Sequence, residues 1–395
     1  MSADAPVRRI APPGWLVDPA LTALLGALGE ARFVGGVVRD TLLGLPPGDL
    51  DLATPLEPQT VVERLTRAGI RTMPTGIAHG TVTAVLAGGR PVEITTLRRD
   101  VETDGRHATV AFTADWAADA ARRDFTMNAL YLDRTGGIWD PMQGLDDCAA
   151  GRVRFVGAPL RRIDEDVLRI PRFYRFQARY GRVPADPAAR AACRARAARI
   201  DGLAGERLQT ETRKLLMAED PTPTVRLMIV DDVLGAYLPA PFDVDRLAAL
   251  VEIEPKADWI RRLAAMLDDG TAAAERLRLS NADRHRLIRL TGPNPIDPGA
   301  GTRAQRVMLY RLGQPLYRDF ALLGGAQHLL TIAEGWQNPT LPVGGGDVTA
   351  FGIPAGPRVG ALLRQVEAWW IEGDFQADRA ACLDRLGALA VLPEV

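Results

Sequence analysis

The sequence predicts an α+β fold in which a mixed or antiparallel sheet with flanking helices gives way to an all-helical remainder. Three observations predict it. Short β-like runs broken by turns fill 32–140, and after about residue 160 that signal fades while Ala, Leu and Arg recur at helical spacing. A length of 395 residues also exceeds what one compact core usually holds, so several domains are expected.

In chain order, the β-like runs are Phe33-Val34, Leu50 to Ala53, Thr81 to Leu86, Val92 to Thr96 and Leu130 to Asp133. Gly88-Gly89 and Gly136-Gly137 fall where hairpin turns belong, and Pro58 to Ala68 reads as a helix closed by Gly69. Helical spacing then runs through Arg199, Arg207 to Ala218, Asp245 to Val251 and Ala257 to Leu267. Proline clusters at Pro221/Pro223, Pro239/Pro241 and Pro293 to Pro298 are candidate joints, with domain boundaries placed near 150 and 240: 1–150, 151–240 and 241–395.

With 47% apolar and 25% charged residues the composition is that of a soluble globular protein. No apolar run approaches the ~20 residues that span a bilayer, so no membrane partner is expected. The first residues lack a signal-peptide core, and Cys148, Cys193 and Cys382 have neither zinc-ligand spacing nor the density of a disulfide framework, which fits a cytoplasmic setting. The sequence leaves oligomeric state open. A net charge of −1 hides an asymmetry: Arg152 to Arg199 holds 13 Arg against 4 acids, while the only lysines are Lys214 and Lys256. Such a cluster suits a polyanion such as RNA, and taken alone it also suits a solvated helix face.

Three segments carry candidate chemistry. The first is Gly35-Gly36-Val37-Val38-Arg39-Asp40, followed by Asp49-Leu50-Asp51. A glycine pair at a strand end lets backbone N–H groups approach a phosphate, and Arg39 adds a fork of donors. In a strand, residues two apart share a side, so Asp49 and Asp51 present two carboxylates on one face. A hard divalent cation relieves their repulsion, which makes the pair suited to Mg²⁺ shared with a triphosphate, and Glu93 is a candidate third carboxylate from a neighbouring strand. The bland explanation is a polar edge strand.

The second segment, Arg122-Arg123-Asp124-Phe125-Thr126-Met127-Asn128-Ala129, mixes cations with amide and carboxylate groups. Arg123 suits a triphosphate and Asp124 or Asn128 a ribose hydroxyl, though capping and salt bridging explain the same residues. The third runs from Glu165 to Arg175, with Asp166, Arg169, Arg172 and Arg175 three residues apart. On a helix Asp166 and Arg169 are neighbours, and a carboxylate acceptor beside a guanidinium donor complements the amino donor and ring-nitrogen acceptor of cytosine or adenine. Uracil and guanine offer a carbonyl instead. A simple i,i+3 salt bridge is the competing explanation, and Pro171 inside the segment is expected to kink the helix.

Taken in order, these segments resemble the head and neck of the class II tRNA nucleotidyltransferases and bacterial poly(A) polymerases, from about Phe33 to Tyr180. The resemblance implies a polymerase β-like head at 1–150, a helical neck that recognises the base and RNA at 151–240, and a helical body and tail that bind tRNA at 241–395. It also implies two catalytic metals, Mg²⁺, on Asp49 and Asp51. By the same resemblance Gly36, Arg39 and Arg123 hold the nucleotide, Asp166 with Arg169 reads the base, and Arg172 and Arg175 contact the nucleotide further. The implied activity is template-independent addition of C, C and A to the tRNA 3′ end from CTP and ATP, with pyrophosphate released. Poly(A) addition or a partial, CC- or A-only, addition stays open. A non-catalytic RNA-binding protein on the same scaffold is the rival of another class, and the intact Asp49 and Asp51 argue against it.

Overall fold

Short apolar runs in the first 140 positions build a sheet, as a computed structural model of residues 5–76, 80–104 and 107–391 describes it. The strands are β1 (Arg8–Arg9), β2 (Arg32–Val34), β3 (Leu50–Thr54), β4 (Arg71–Gly76), β5 (Thr81–Val85), β6 (Pro91–Thr96), β7 (Arg98–Asp104), β8 (His107–Phe112), β9 (Tyr131–Leu132) and β10 (Gly137–Trp139). Eight of them form one sheet in the order β1-β10-β9-β2-β3-β6-β5-β4. The sheet is mixed: β3 and β6 run parallel with Leu50 opposite Val92 and Asp51 opposite Glu93, and the other recorded pairs are antiparallel.

The turn between β5 and β6 uses Gly88 and Gly89 with φ of 76° and 81°, a region that side-chain-bearing residues rarely adopt. Strand β4, which contains Pro74, has no counterpart among the strands expected from the sequence. It lies at the sheet edge, where a proline costs no ladder bond, and its register shifts between Met73 and Gly76. Strands β7 and β8 form a separate two-stranded ribbon. The charged segment Arg98 to Asp119, which the sequence offers as a candidate flexible element, therefore holds a large share of paired backbone, although Gly105 lies outside the described residues.

The helices of this region are α1 (Pro19–Leu28), α2 (Gly36–Leu42), α3 (Pro58–Arg67), α4 (Trp116–Ala121), α5 (Leu145–Ala150), α6 (Pro159–Glu165), α7 (Arg169–Tyr180), α8 (Pro187–Arg196), α9 (Gly205–Leu216) and α10 (Thr222–Val230). One core cluster joins Val34 and Ala53 of the sheet to Trp116, Ala120, Ala129, Tyr131 and Val156. An aromatic seam then ties the sheet-side segment to α7: Phe125 lies 5.0 Å from Phe155 and 4.7 Å from Phe176, and Phe155 stacks on Phe173 at 5.7 Å. All four rings are buried. Such pairs contribute ~0.5–1.5 kcal/mol each beyond the area they bury, so the seam fixes α7 against the segment carrying Arg122 to Asn128.

The chain divides into two compact units, Met1–Pro239 with Arg276–Arg278 and Ala240–Glu275 with Leu279–Val395. The second is helical, starting with α11 (Val244–Ile253) and α12 (Trp259–Met266). Its C-terminal core gathers Val343, Val348, Ile353, Leu362, Val366, Trp370, Cys382 and Leu386. Asp347, next to the glycine run Gly344 to Gly346, accepts from the Gly344 N–H at 2.8 Å and pairs with Arg379. No helix among the described residues is long and apolar enough to cross a membrane.

Candidate active site

Strand β3 carries the carboxylate pair to the same edge as the glycine turn. Asp49 is exposed immediately before the strand, Leu50 is buried, and Asp51 is half-buried one residue inside it. Opposite Asp51 in the parallel register stands Glu93 of β6. Burial, then the Glu93 carboxylate, push the Asp51 carboxyl up to about 6; Arg123 pulls it down and Asp49 adds to the rise. Crowded, half-desolvated carboxylates of this kind favour a hard cation with oxygen ligands. Asp49 and Asp51 would offer Mg²⁺ two neighbouring carboxylates, the oxygen donors that such an ion takes. Among the described residues no group of three or more His, Cys, Asp or Glu is placed to hold a metal. Glu93 thus stands as an electrostatic neighbour of Asp51 and does not complete a three-ligand cluster.

The glycine turn has a steric reason. Gly35 has a φ of +74°, and a Cβ there would come 3.7 Å from the Arg123 guanidinium. The turn therefore brings backbone beside Arg123, and the first N–H groups of α2 have no partner within the helix. Because α2 has only seven residues, the turn's backbone and Arg123 offer more to a phosphate than a helix dipole does.

Arg123 is held from behind by Asp119 of α4. That carboxylate, 1% exposed, takes Nε and Nη2 of Arg123 at 3.2 and 2.9 Å, Nε and Nη2 of Arg122 at 3.0 and 2.8 Å, and the Tyr131 hydroxyl at 2.9 Å. Burial opposes its ionisation, but the Arg123 and Arg122 charges outweigh it and keep Asp119 below the ordinary carboxylate range.

Arg39 is placed differently from the expectation that it meets the nucleotide directly. It is buried, with Nε on Asp40 at 2.9 Å, Nη1 on the Asn128 oxygen at 2.6 Å and Nη2 on the Tyr180 hydroxyl at 2.6 Å. Asn128 also donates to Asp124 at 3.0 Å, and Asp124 pairs with Arg172. Burial opposes the Asp124 charge, yet Arg172, Asn128 and the Phe125 N–H together hold its carboxyl down to about 2. Asp124 and Asn128 thus link α2 to α7.

The third segment breaks ahead of Pro171, where the sequence placed the kink. Helix α6 ends at Glu165, Asp166 is extended with φ −151° and ψ 109°, and Arg169 opens α7. Asp166 and Arg169 therefore flank a helix start, joined by the Arg169 N–H to the Asp166 carbonyl at 3.0 Å, while their side chains take other partners. Asp166 accepts from the Leu168 N–H at 3.1 Å and from Arg207 at 2.9 Å. Arg169 donates to Glu165 and to the Arg162 carbonyl, both at 2.7 Å.

Pro171 does not kink α7. It is the third helical residue, and the Val167 carbonyl it would have used already accepts the Ile170 N–H at 3.0 Å. Arg175, buried, pairs with Glu211 of α9, and Arg172 reaches the same carboxylate at 3.8 Å. Asp119, Arg162, Tyr180 and Glu211 were missed by reading the sequence. Asp119 has a visible signal, lying three and four residues before Arg122 and Arg123 on one helical turn, whereas Glu211 and Tyr180 meet their arginines only through the fold.

Residues 31–154 match the family model described as Poly A polymerase head domain, and 185–242 match the one described as probable RNA and SrmB-binding site of polymerase A. A carboxylate-bearing sheet of that head type places the protein in the nucleotidyltransferase class. Relatives narrow the class. The chain is 34% identical over 382 residues to the human mitochondrial CCA tRNA nucleotidyltransferase 1, covering 89% of this chain and 85% of that protein. It is 30% identical to the CCA-adding enzyme of Limosilactobacillus fermentum, covering 94% and 96%. The structure of the Bacillus stearothermophilus CCA-adding enzyme in complex with CTP superposes with a TM-score of 0.78 at 26% identity, covering 94% of this chain and 98% of that one. The chain belongs to the CCA-adding tRNA nucleotidyltransferase family.

Proposed function

We propose that this enzyme adds C, C and A to the 3′ end of tRNA, taking CTP and ATP and releasing pyrophosphate. The observation that carries the reading is that a single compact unit joins the carboxylate edge of β3, the Arg123 fork and the start of α7 through Asp124–Arg172 and the aromatic seam. Transfer and base choice then have separate residues within one frame. The names of the matched relatives, which specify CCA addition, support it.

The terminal ribose hydroxyl of the RNA attacks the α-phosphorus in line. Asp49 and Asp51 would hold Mg²⁺, which supplies charge neutralisation for the triphosphate and a lowered pKa for the attacking hydroxyl. Arg123, braced by Asp119, meets the triphosphate beside the backbone of Gly35 and Gly36. Asp166 accepts from the exocyclic amino group and Arg169 donates to the ring nitrogen, a pattern that cytosine and adenine satisfy and uracil and guanine do not. Arg39, Arg172 and Arg175 keep these groups in place through Asn128, Asp124 and Glu211. We assign the head to 1–150, the neck to 151–240 and a tRNA-binding body and tail to 241–395.

Purified protein incubated with tRNA lacking its CCA end, given CTP alone, ATP alone or both, tests this. The expected products carry two C with CTP alone, and C, C and A with arrest when both are present. Long A tracts would refute it.

A further inference from the structure

Arg162 has no part in the chemistry described above, yet its guanidinium joins both halves of the site. It lies on α6, 6% exposed, four residues before Asp166. Nη1 donates to the Glu165 carboxylate. Nη2 donates to two backbone carbonyls, that of Arg122 and that of Arg123, the latter at 2.7 Å. Those carbonyls follow the last turn of α4, where helical donors run out; the Arg123 carbonyl takes Arg162, and the Arg122 carbonyl takes Arg162 together with a longer bond from Arg169 Nη2 at 3.4 Å.

Glu165 takes Arg169 as well, at 2.7 Å, and Arg169 returns a bond to the Arg162 carbonyl at 2.7 Å. The path is closed: the backbone that carries Arg123 leads through Arg162 and Glu165 to Arg169. The guanidinium reaches the carboxylate and the two carbonyls from two nitrogens fixed in one plane, whereas an ammonium presents its three donors from a single nitrogen and so does not hold the same spacing.

The geometry points to Arg162 as a positioning residue that fixes the spacing between the arginine facing the triphosphate and the residues facing the base. The inference rests on the proposed reading of Arg123, Asp166 and Arg169. Once the spacing is set, a base that fails to match Asp166 and Arg169 also leaves its triphosphate out of line with Arg123. Loosening the strap uncouples the two requirements, so a wrong base is penalised less and a right one is gripped less well.

The test compares wild type, Arg162→Gln and Arg162→Lys on tRNA lacking CCA, at a temperature well below each protein's melting point. Arg162→Gln should raise KM for CTP and ATP and reduce the kcat/KM preference for CTP over UTP by roughly tenfold or more, as expected when a reacting group is displaced by about 1 Å. Arg162→Lys should recover part of the preference, and KM for tRNA should stay unchanged in both. A lowered melting temperature with unchanged preference and unchanged nucleotide KM would show a purely structural arginine and overturn the inference. If Arg162→Gln does not fold, Glu165→Gln carries the test, because it leaves the fork on the carbonyls while cutting its charged link to Arg169. Preference should then fall while KM for the triphosphate holds, and unchanged preference would again overturn the inference. Failure of the wild type to add C, C and A refutes the functional reading itself, a result distinct from either variant's.

Discussion

At the scale of single residues, the site is a set of charges whose neighbours decide what each does. Asp51 is crowded by burial and by Glu93 and is relieved by Arg123; Asp124 is buried too but faces Arg172 and Asn128, and so titrates far lower. The Asp124 shift has a stability consequence with a definite sign. Its folded pKa of about 2 lies below the ~3.9 of an unfolded aspartate, so its contribution is complete above that value and is lost as pH falls toward 2. The shift corresponds to about 2 kcal/mol at neutral pH. Urea unfolding of wild type and Asp124→Asn should show that gap at pH 7 and a shrinking one below pH ~4. A gap independent of pH would remove the charge as its cause. The strand that carries Asp51 was legible because β-like patterning is a local property, while Asp49, expected on the same strand face, lies just before that strand. Arg39 was not, since its partners Asn128 and Tyr180 lie 89 and 141 residues away.

At the scale of elements, the placement of α7 governs the neck side of the site. Its start is set by the break at Asp166, and its flank by Glu211, which carries Arg175 and reaches Arg172. Glu211→Gln leaves a buried arginine without its counter-charge, and breaking such a pair costs about 3 kcal/mol or more. The expected outcome is that loss in urea unfolding together with weaker nucleotide binding; a variant as stable as wild type would show that α7 does not depend on this pair. The sequence placed Asp166 and Arg169 as neighbours on a helix, the geometry of an i,i+3 pair. What it does not encode is that the Asp166 side chain accepts from the Leu168 N–H and so competes with the helix for its own backbone. Pro171 was misread for a related reason: a proline's effect depends on its distance from the helix start, and that start was unknown. The hairpin glycines and the Pro58 helix were legible, because turn chemistry and caps act over a few residues. Strand β4 was hidden by a proline that only an edge position tolerates.

At the scale of the whole molecule, the Arg-rich stretch from 152 to 199 is mostly spent on internal pairing. Asp147 takes Arg152 and Arg154, Asp231 takes Arg190 and Arg194, and Asp164 takes Arg196 and Arg199. Counting charges therefore overstated the positive surface offered to RNA. Arg179 and Arg182 are exposed and remain candidates for phosphate contact. Replacing both by Ala should lower the slope of log Kd for tRNA against log salt by about one unit per contact, without changing CTP over UTP preference. An unchanged slope would place RNA binding elsewhere. The central claim is a division of labour, with transfer at Asp49 and Asp51 and base choice at Asp166 and Arg169. Its most direct test is a single-turnover measurement of C against U incorporation by Asp51→Ala and Asp166→Ala side by side. The account predicts that Asp51→Ala binds tRNA but transfers neither base, while Asp166→Ala transfers with its preference for C eroded; transfer by the first, or an intact preference in the second, would contradict it.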